Sequence, residues 1–560
     1  MKKTLLFFFL CCVINLTAQV TNEGQPYSWK LNTKSQLTAI SIAELDMEKI
    51  RNEDEINDNS QAKPYRIGIP KKINFGLNNS GLWTQLKNGD RIWRILFHAK
   101  DAVHLSVVFD QFFIPKGGKL YLYNDERTDV LGAYTEIQNN EKQVLGTWLV
   151  NGEKLWIEYY EPKEVKDQVK LHLSSISRGY RLGNNFQEGY LDDQLKALND
   201  SGDCNLDVDC NIRADFKDKR DLLKKAVVAL VLPGTNGTSV CTGVLLNNIA
   251  EDKKAYILTA NHCLGNSTPA SYSIRFNWIS PNPVCRAVFD STDSNSVFTL
   301  SGATLRANNP DSDFMLLELF SSIPNDWDVT FAGWDRSDID PEFNVGIHHP
   351  RGDIMKISVD NTGAIKAPHA ATNSPVAQTW EITGGSKGGW EVGVTEGGSS
   401  GSALFDQNGR VIGQLYGGSS GCTGIGDNGR LDFYGRFATS WDTGTTADTR
   451  LKDWLNPQGG TAPMVLEAKQ NVLAINDEVL DRNISVFPNP TSGLIQIKIK
   501  EWNSDLSYEV YDILGQTLLS DALQNNEIID LDRLPDNIYF LKIKEVDTNR
   551  SIVKKIILKK

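Results

Sequence analysis

Cysteine placement is the feature that most constrains how this chain folds. Six of the eight cysteines lie in the middle of the sequence, namely Cys204, Cys210, Cys241, Cys263, Cys285 and Cys422. An even number of cysteines in an exported chain predicts disulfides. A zinc site is the alternative, but the chain has no CxxC pair and no HExxH motif, and the spacing fits no zinc ribbon or finger. The middle of the chain is therefore predicted to be disulfide-bonded, with no metal and no other cofactor.

The first residues have the order of a secretory signal. Lys2 and Lys3 precede an apolar run that extends to Leu16, which predicts a signal peptide over residues 1–19. The run contains Cys11, but large residues precede it, which disfavours a lipid anchor. This run is short for a bilayer span, and no later stretch approaches about 20 apolar residues. We predict a secreted protein without a stable membrane span.

Length and charge narrow the possibilities further. A chain of 560 residues predicts three to four domains. It carries 58 basic and 70 acidic side chains, a net charge of -12, and no basic stripe that would neutralise phosphates. Nucleic acid is therefore excluded as an expected partner.

Residues 20–196 contain no cysteine and several segments that alternate like strands. The clearest are residues 91–97, 105–109, 119–123 and 155–159. The pattern predicts a β-sandwich. We interpret it as a propeptide; a carbohydrate-binding sandwich is the alternative, because such modules also carry aromatic residues on their strands.

The remainder divides into two further folded regions. Residues 197–468 are rich in short strands and Gly-containing turns, which predicts an antiparallel barrel fold that ends in a helix near residues 449–455. A polar linker is expected over residues 469–483. Residues 484–560 include V-F-P-N-P-T-S-G at 486–493 and Y-E-V-Y-D-I-L-G-Q at 508–516. This segment resembles the C-terminal sorting domain of type IX secretion, which implies an Ig-like sandwich and the type IX machinery as a partner; a plain Ig-type binding module is the alternative.

Three residues of the middle region form a candidate catalytic triad. A serine nucleophile needs a histidine to take its proton, a carboxylate to orient the histidine, and backbone donors for the oxyanion. His262 ends an apolar strand, Asp313 opens another, and Ser400 lies in the loop G-G-S-S-G-S. Each motif alone is weak, but the three together in this order predict a serine endopeptidase. The N–H groups of Gly398 and Ser400 are the expected oxyanion hole.

The middle region also resembles the lysyl endopeptidase family, bacterial members of the chymotrypsin family. The motifs that carry the resemblance are C-T-G at 241–243, T-A-N-H-C at 259–263, S-D-F at 312–314, A-G-W-D at 332–335, I-H-H-P at 347–350, V-T-E at 394–396, G-S-S-G-S at 398–402, G-Q-L at 413–415 and Y-G-R at 434–436. The resemblance covers roughly residues 204–457. It implies an all-β, chymotrypsin-like double β-barrel that cleaves peptide bonds after lysine. It also implies the disulfides Cys204–Cys422, Cys210–Cys285 and Cys241–Cys263, and structural roles for His348 and His349.

The same resemblance implies the substrate pocket. Asp432 matches the acid at the base of the family's lysine pocket, and Gly417 lies on the strand expected to form its wall. Tyr416 and His369 stand where the family has a stacked histidine and tryptophan beside the active site. This departure leaves the preference for lysine over arginine open. The alternatives are a serine endopeptidase of Arg/Lys or Glu specificity, or a non-catalytic surface binding protein.

Activation is expected to differ from that of trypsin. There a freed N-terminus pairs with an Asp directly before the nucleophile, and here that position is Ser399. The segment before the protease is therefore expected to block the site or assist folding. We predict that the precursor cuts itself after Lys196.

Overall fold

The structure is a computed structural model. It describes residues 24–31, 37–60, 63–181, 200–285, 291–294, 297–325, 327–370, 375–384, 389–424, 426–427, 429–471, 478–500, 502, 505–512, 516–546 and 551–560. The predicted signal peptide, Lys196 and Ala197 lie outside the described residues. Contacts divide the chain into two compact units, Met1–Asn471 and Val472–Lys560.

The first part of the larger unit is a β-sandwich with one α-helix packed beside it. Its elements are α1 (Met47–Asp58) and the strands β1 (Ile40–Ser41), β2 (Tyr65–Gly76), β3 (Leu82–Gln85), β4 (Arg91–His98), β5 (His104–Phe113), β6 (Lys119–Asn124), β7 (Val130–Tyr134), β8 (Leu145–Gly146), β9 (Val150–Asn151), β10 (Lys154–Glu161) and β11 (Lys170–Gly179). One sheet has the order β1-β4-β10-β6-β7, and β2, β11 and β5 form the facing layer. Alternate residues of both layers, such as Phe97, Phe109 and Leu173, are fully buried between them.

The helix α1 was not expected from the sequence. Asp46 caps it by accepting a hydrogen bond from the Lys49 N–H at 3.1 Å. Only Ile50 and Asp54 of this helix are buried. A polar helix of this kind lacks the wide apolar stripe that identifies a helix in a sequence.

The second part of the larger unit contains the catalytic candidates. Its elements are α2 (Lys217–Leu223), α3 (Phe437–Asp442), α4 (Lys452–Leu455) and the strands β12 (Leu206–Asp207), β13 (Val227–Pro233), β14 (Thr238–Leu246), β15 (Tyr256–Ala260), β16 (Ser273–Phe276), β17 (Phe298–Ser301), β18 (Ala303–Asn309), β19 (Phe314–Leu319), β20 (Thr330–Phe331), β21 (Trp334–Asp335), β22 (Asn344–His348), β23 (Lys356–Asp360), β24 (Ile365–His369), β25 (Ala377–Glu381), β26 (Ala403–Phe405), β27 (Val411–Gly418), β28 (Cys422–Thr423), β29 (Gly426–Asp427), β30 (Asp432–Arg436), β31 (Val465–Leu466) and β32 (Lys469–Gln470).

Two antiparallel barrels make up this part. The first follows the order β17-β16-β13-β14-β15-β19-β18, and the second follows β12-β23-β22-β26-β27-β30-β25-β24. Buried apolar side chains fill the first barrel, for example Leu230, Ile257 and Leu317. This is the chymotrypsin-like double barrel that the resemblance implied. The expected helix at 449–455 is shorter than its pattern suggested, since α4 covers only Lys452–Leu455.

The two parts of the larger unit share one sheet. Strand β2 pairs antiparallel with β14, with Tyr65 opposite Val240, Arg66 opposite Ser239 and Gly68 opposite Thr238. Within the described residues this pairing extends the first barrel and the amino-terminal layer into a 12-stranded sheet. The amino-terminal sandwich is therefore continuous with the first barrel, which the sequence pattern did not indicate.

The smaller unit is an independent β-sandwich. It contains α5 (Glu478–Asn483) and the strands β33 (Ile484–Phe487), β34 (Leu494–Ile499), β35 (Leu506–Tyr511), β36 (Thr517–Leu523), β37 (Glu527–Asp530), β38 (Asn537–Glu545) and β39 (Ser551–Leu558). The described strands form sheets of the order β33-β34-β37 and β36-β35-β38-β39. An Ig-like sandwich was expected here. The helix α5 occupies part of the expected linker, because Leu480 is fully buried in the core of this unit. Among the described residues, none of the helices combines the length and apolar character that crossing a bilayer requires.

Candidate active site

His262 and Asp313 are brought together by the pairing of two neighbouring strands. β15 pairs with β19 so that Ala260 lies opposite Phe314, which places the residues just beyond these ends side by side. Asp313 Oδ2 accepts a hydrogen bond from His262 Nδ1 at 2.7 Å, and its Oδ1 accepts the His262 backbone N–H at 2.9 Å. Asp313 has φ of 55°, a left-handed conformation that costs energy for a residue other than glycine. The two hydrogen bonds therefore fix His262 to the carboxylate of a residue whose backbone is strained.

Ser400 lies in the loop between Val394 and β26 and contacts the same part of the first barrel. The Ser400 carbonyl accepts the Thr242 N–H at 2.9 Å and lies 3.9 Å from Cys263 Sγ. Thr242 Oγ1 also donates to the Gly398 carbonyl at 2.9 Å. Thr242 thus joins the serine loop, which belongs to the second barrel, to strand β14 of the first barrel. The Ser400 backbone therefore lies beside Cys263, the residue that follows His262 in the chain.

The second nitrogen of the histidine has no partner inside the described structure. His262 Nε2 is buried and makes no hydrogen bond to a described residue. A buried polar atom without a partner is costly and calls for an explanation. With Nδ1 held by Asp313, Nε2 is the atom that remains to take a proton from a nearby hydroxyl.

The serine loop has the shape of an anion site. The N–H groups of Gly398 and Ser400 donate no hydrogen bond to any described residue. Gly398 has φ of 94°, and a side chain there would meet the Gly352 nitrogen at 2.8 Å. Glycine at this position is thus required both by conformation and by space. Two unengaged N–H groups in one tight loop suit a developing oxyanion.

Ser399, directly before the candidate nucleophile Ser400, is in hydrogen-bond contact with a histidine. Ser399 Oγ and His348 Nδ1 are 2.7 Å apart, and His348 Nε2 is 3.0 Å from Ser358 Oγ. Burial lowers the pKa of His348 to about 3, so the ring is neutral. His349 stacks on Trp278 with a ring separation of 5.5 Å. Both histidines were expected to be structural. His348 contacts Ser399, in the loop that contains Ser400.

Asp432, the expected base of the lysine pocket, is surrounded by neutral polar side chains. It is completely buried, and its Oδ2 accepts hydrogen bonds from Trp390 Nε1 at 2.7 Å, Thr395 Oγ1 at 2.7 Å and Ser420 Oγ at 2.6 Å. All three side-chain donors are neutral. Burial raises the pKa of Asp432, and these hydrogen bonds oppose the rise. Among the described residues, the carboxylate is therefore solvated by neutral hydrogen-bond donors, and no cation donates to it.

The strand expected to form the wall of this pocket contains Gly417 and runs beside Asp432. β27 pairs with β30 so that Gly417 lies opposite Phe433 and Gly418 opposite Asp432. A side chain at Gly418 would meet Asp432 Oδ1 at 1.9 Å. The glycine at 418 therefore lets the strand pass close to the acid.

Tyr416 lies beside His262, and His369 lies beside Tyr416. The ring centres of Tyr416 and His262 are 6.4 Å apart, and those of Tyr416 and His369 are 5.4 Å apart in an edge arrangement. His369 stacks instead on Phe433, with ring centres 3.6 Å apart and an angle of 10°. The expected neighbours are thus brought together, but the stacked partner of His369 is Phe433 rather than Tyr416.

Three disulfides join cysteines in the described part of the chain: Cys204–Cys422, Cys210–Cys285 and Cys241–Cys263. These are the pairs that the resemblance implied. Cys241 lies on β14 and Cys263 follows His262, so one bridge braces the triad histidine. Another ties the start of this part to Cys422, two residues from Ser420 in the pocket. No cluster of three or more His, Cys, Asp or Glu side chains suited to a metal occurs among the residues that the structure describes.

Two segments of this chain match known protein families. Residues 198–435 match the family described as lysyl endopeptidase, C-terminal domain, and residues 485–559 match the secretion system C-terminal sorting domain. A lysyl endopeptidase of Pseudomonas aeruginosa is 27% identical over 261 residues, which is 46% of this chain and 52% of that protein. The chain therefore aligns with about half the length of this curated relative.

Solved structures with related strands include Deg5, Rv3671c from M. tuberculosis and the MamO protease domain from Magnetospirillum magneticum. They share 12%, 14% and 14% identity and cover 41%, 38% and 38% of this chain, and 93%, 82% and 91% of their own chains. Their TM-scores are 0.25, 0.24 and 0.26.

Proposed function

We propose that this chain is the precursor of a serine endopeptidase that cleaves after lysine, because residues 198–435 match the family described as lysyl endopeptidase, C-terminal domain, and residues 485–559 match the secretion system C-terminal sorting domain. The sorting domain directs it to the cell exterior or surface through the secretion machinery, and peptides or proteins are its substrates. The observation that carries the proposal is the pair His262–Asp313 beside the serine loop, with the histidine Nε2 unengaged.

The proposed reaction uses each of these groups in turn. His262 Nε2 takes the proton of Ser400 Oγ as the oxygen attacks the peptide carbonyl, and Asp313 stabilises the imidazolium that forms. The carbonyl oxygen becomes an oxyanion between the N–H groups of Gly398 and Ser400. His262 then protonates the leaving amine, which produces an acyl-enzyme. Water, activated by the same histidine, releases the acid product.

The lysine specificity is proposed from the environment of Asp432. A lysine ammonium that enters a closed pocket loses its hydration, and this is tolerable only if a fixed counter-charge replaces the water. Asp432 is a buried carboxylate with three neutral side-chain donors and no cation among them. A compact ammonium completes this site, whereas the planar guanidinium of arginine needs room for a fork.

We further propose that residues 24–181 belong to a propeptide that blocks this site until it is removed. The pairing of β2 with β14 ends at Val240, next to Cys241 and Thr242, which hold the triad histidine and the serine loop. The Tyr65 ring lies on the serine loop, since a side chain at Gly397 would meet Tyr65 Cδ2 at 2.7 Å. A substrate chain cannot occupy the same strand edge while β2 is there.

A buried network holds the blocking strand in place. Asp54 of α1 accepts hydrogen bonds from Arg66 Nε at 2.8 Å and from the Tyr180 hydroxyl at 2.6 Å. The Arg181 guanidinium lies 4.6 Å from the centre of the Tyr65 ring. Helix α1 and the end of β11 are thereby fastened to β2 over the cleft. This supports a block formed by folded structure.

The central proposal is tested by digesting a denatured protein with the purified enzyme and reading the cut sites by mass spectrometry. We expect cuts after lysine. Ser400→Ala should lose on the order of 10⁶-fold in kcat, because triad members act as a unit, while the three disulfides and the unfolding temperature stay unchanged. Cleavage at an undiminished rate by this variant would remove Ser400 from the mechanism.

A further inference from the structure

Glu396, four residues before the proposed nucleophile, is a buried carboxylate that the mechanism does not use. Its side chain is only 7% exposed. One oxygen lies 2.9 Å from Arg351 Nε, and the other accepts the Gly202 N–H at 2.7 Å and Asn205 Nδ2 at 2.8 Å. Burial of a carboxylate costs free energy of desolvation, even when an arginine and two further donors surround it. A structural role for Glu396 is therefore expected.

The contacts on one side of Glu396 belong to a segment at the start of the protease region, Ser201–Asn205, here called the strap. The strap has two further hydrogen bonds, one at the start of the serine loop and one to Asp353, outside that loop. Asn205 Oδ1 accepts the Val394 N–H at 3.1 Å, and Ser201 Oγ donates to Asp353 Oδ2 at 2.6 Å. The disulfide Cys204–Cys422 fastens the strap near its end. The strap is therefore a fixed support for the Glu396 carboxylate.

The contacts on the other side reach the proposed oxyanion hole. The Arg351 N–H donates to the Gly397 carbonyl at 2.5 Å. The Gly397 carbonyl and the Gly398 N–H belong to one trans peptide, so they point in opposite directions. Holding the carbonyl toward Arg351 turns the Gly398 N–H toward the cleft. Both flanking residues are glycines, so the peptide has no side chains of its own to resist rotation.

The turn itself is closed by reciprocal bonds that start at Glu396. The Ser399 N–H donates to the Glu396 carbonyl at 2.9 Å, and the Glu396 N–H donates to Ser399 Oγ at 3.2 Å. Both the backbone and the side chain of Glu396 thus act on the four residues that end at the nucleophile.

We propose that Glu396 is a positioning residue that links the strap to the orientation of the Gly397–Gly398 peptide, and so keeps the Gly398 N–H in the oxyanion hole. This rests on the proposed function, since it concerns the same site. Loss of one oxyanion donor costs about 10²- to 10³-fold in kcat. Glu396→Ala leaves the donor present but free to turn away, so we expect a loss of roughly 10- to 100-fold in kcat with little change in KM.

The test uses enzyme purified from the full-length precursor, in wild type, Glu396→Ala and Glu396→Asp. Glu318→Ala is the matched control, because Glu318 also pairs with an arginine, Arg306 at 2.7 Å, but lies on β19 outside the loop. Besides kcat and KM on a lysine amide, two affinities are measured. A peptidyl lysine aldehyde forms a tetrahedral adduct whose oxygen needs the oxyanion hole, whereas n-butylamine needs only the lysine pocket.

The expected pattern is that Glu396→Ala loses kcat and aldehyde affinity in step, keeps butylamine affinity, and is partly rescued by Glu396→Asp. Should Glu396→Ala fail to fold, Arg351→Met replaces it, because the Arg351 side chain is 46% exposed; it should lose kcat and aldehyde affinity together by a smaller factor. Unchanged kcat, or an equal loss of butylamine affinity, would overturn the proposal. Failure of wild type to cut lysine substrates would refute the proposed function instead.

Discussion

The replacement Asp432→Asn examines the substrate proposal most directly. It keeps the size of the side chain and one acceptor oxygen, which can still receive the Trp390 N–H. Of the described residues Asp432, Thr395 and Ser420, Asp432 alone carries a charge. The replacement therefore removes the counter-charge for a lysine ammonium. An unpaired buried charge typically costs about 3 to 5 kcal/mol, which corresponds to roughly 10²- to 10⁴-fold in kcat/KM. We expect a loss of this size for lysine substrates.

The stability of the same variant separates a lost partner from a damaged fold. Burial raises the pKa of Asp432 above its ordinary value. A folded-state pKa raised in this way contributes stability below the unfolded pKa, and that contribution is lost as the pH rises through the folded pKa. At neutral pH the charged carboxylate is therefore a cost, and Asp432→Asn should unfold at a temperature no lower than wild type.

The assay compares peptides with lysine, arginine or glutamate before the cleaved bond, together with a small uncharged ester that reports the reactivity of Ser400. Asp406→Asn is the control, since Asp406 is also buried but caps a turn by accepting the Asn408 and Arg410 N–H groups. Lysine cleavage should fall in Asp432→Asn alone, while the ester reaction persists in both. Undiminished lysine cleavage by Asp432→Asn would refute its assignment as the pocket acid and, with it, the lysine specificity.

Three further outcomes are expected. Because the pKa of Asp432 is raised by burial, kcat/KM for lysine peptides should fall with decreasing pH more steeply than the uncharged ester reaction, and Asp432→Asn should abolish this difference; parallel profiles in wild type would contradict the reasoning. When the full-length precursor is allowed to mature, Tyr65→Ala should shorten the lag before hydrolysis begins by roughly 10- to 100-fold, as expected when an aromatic anchor is lost. Ile137→Ala, at an exposed position of the same propeptide, should leave the lag unchanged. N-terminal sequencing of mature enzyme should begin at Ala197, and Ser400→Ala precursor should stay uncut unless active enzyme is added; its complete processing alone would exclude self-cleavage.

The triad candidates were predictable because each is marked locally. His262 and Asp313 stand at the ends of apolar strands, and Ser400 is surrounded by glycines, so short patterns reveal them. Their proximity also follows from simple topology, since β15 and β19 are adjacent in the first barrel. The all-β class was predictable for the same reason, because period-two alternation is a local property.

The supports of the site were not predictable in this way. Glu396 contacts Gly202, 194 residues earlier in the chain, and Thr242 contacts Gly398 across 156 residues. Such pairs depend on how two barrels meet, and no local pattern records that. The pairing of β2 with β14 uses main-chain N–H and C=O groups, which are the same in every residue, so it leaves no side-chain signature.

The edge of β14 gains a different meaning once β2 has departed. Thr238, Ser239 and Val240 then present the main-chain groups that faced β2 to the cleft. An open strand edge accepts any extended chain, whatever its side chains. Such an edge pairs only with polypeptide in an extended conformation, so helices and compact domains are poor substrates. We therefore expect the enzyme to act on loops, tails and unfolded proteins, with lysine deciding only where in the captured stretch the cut falls.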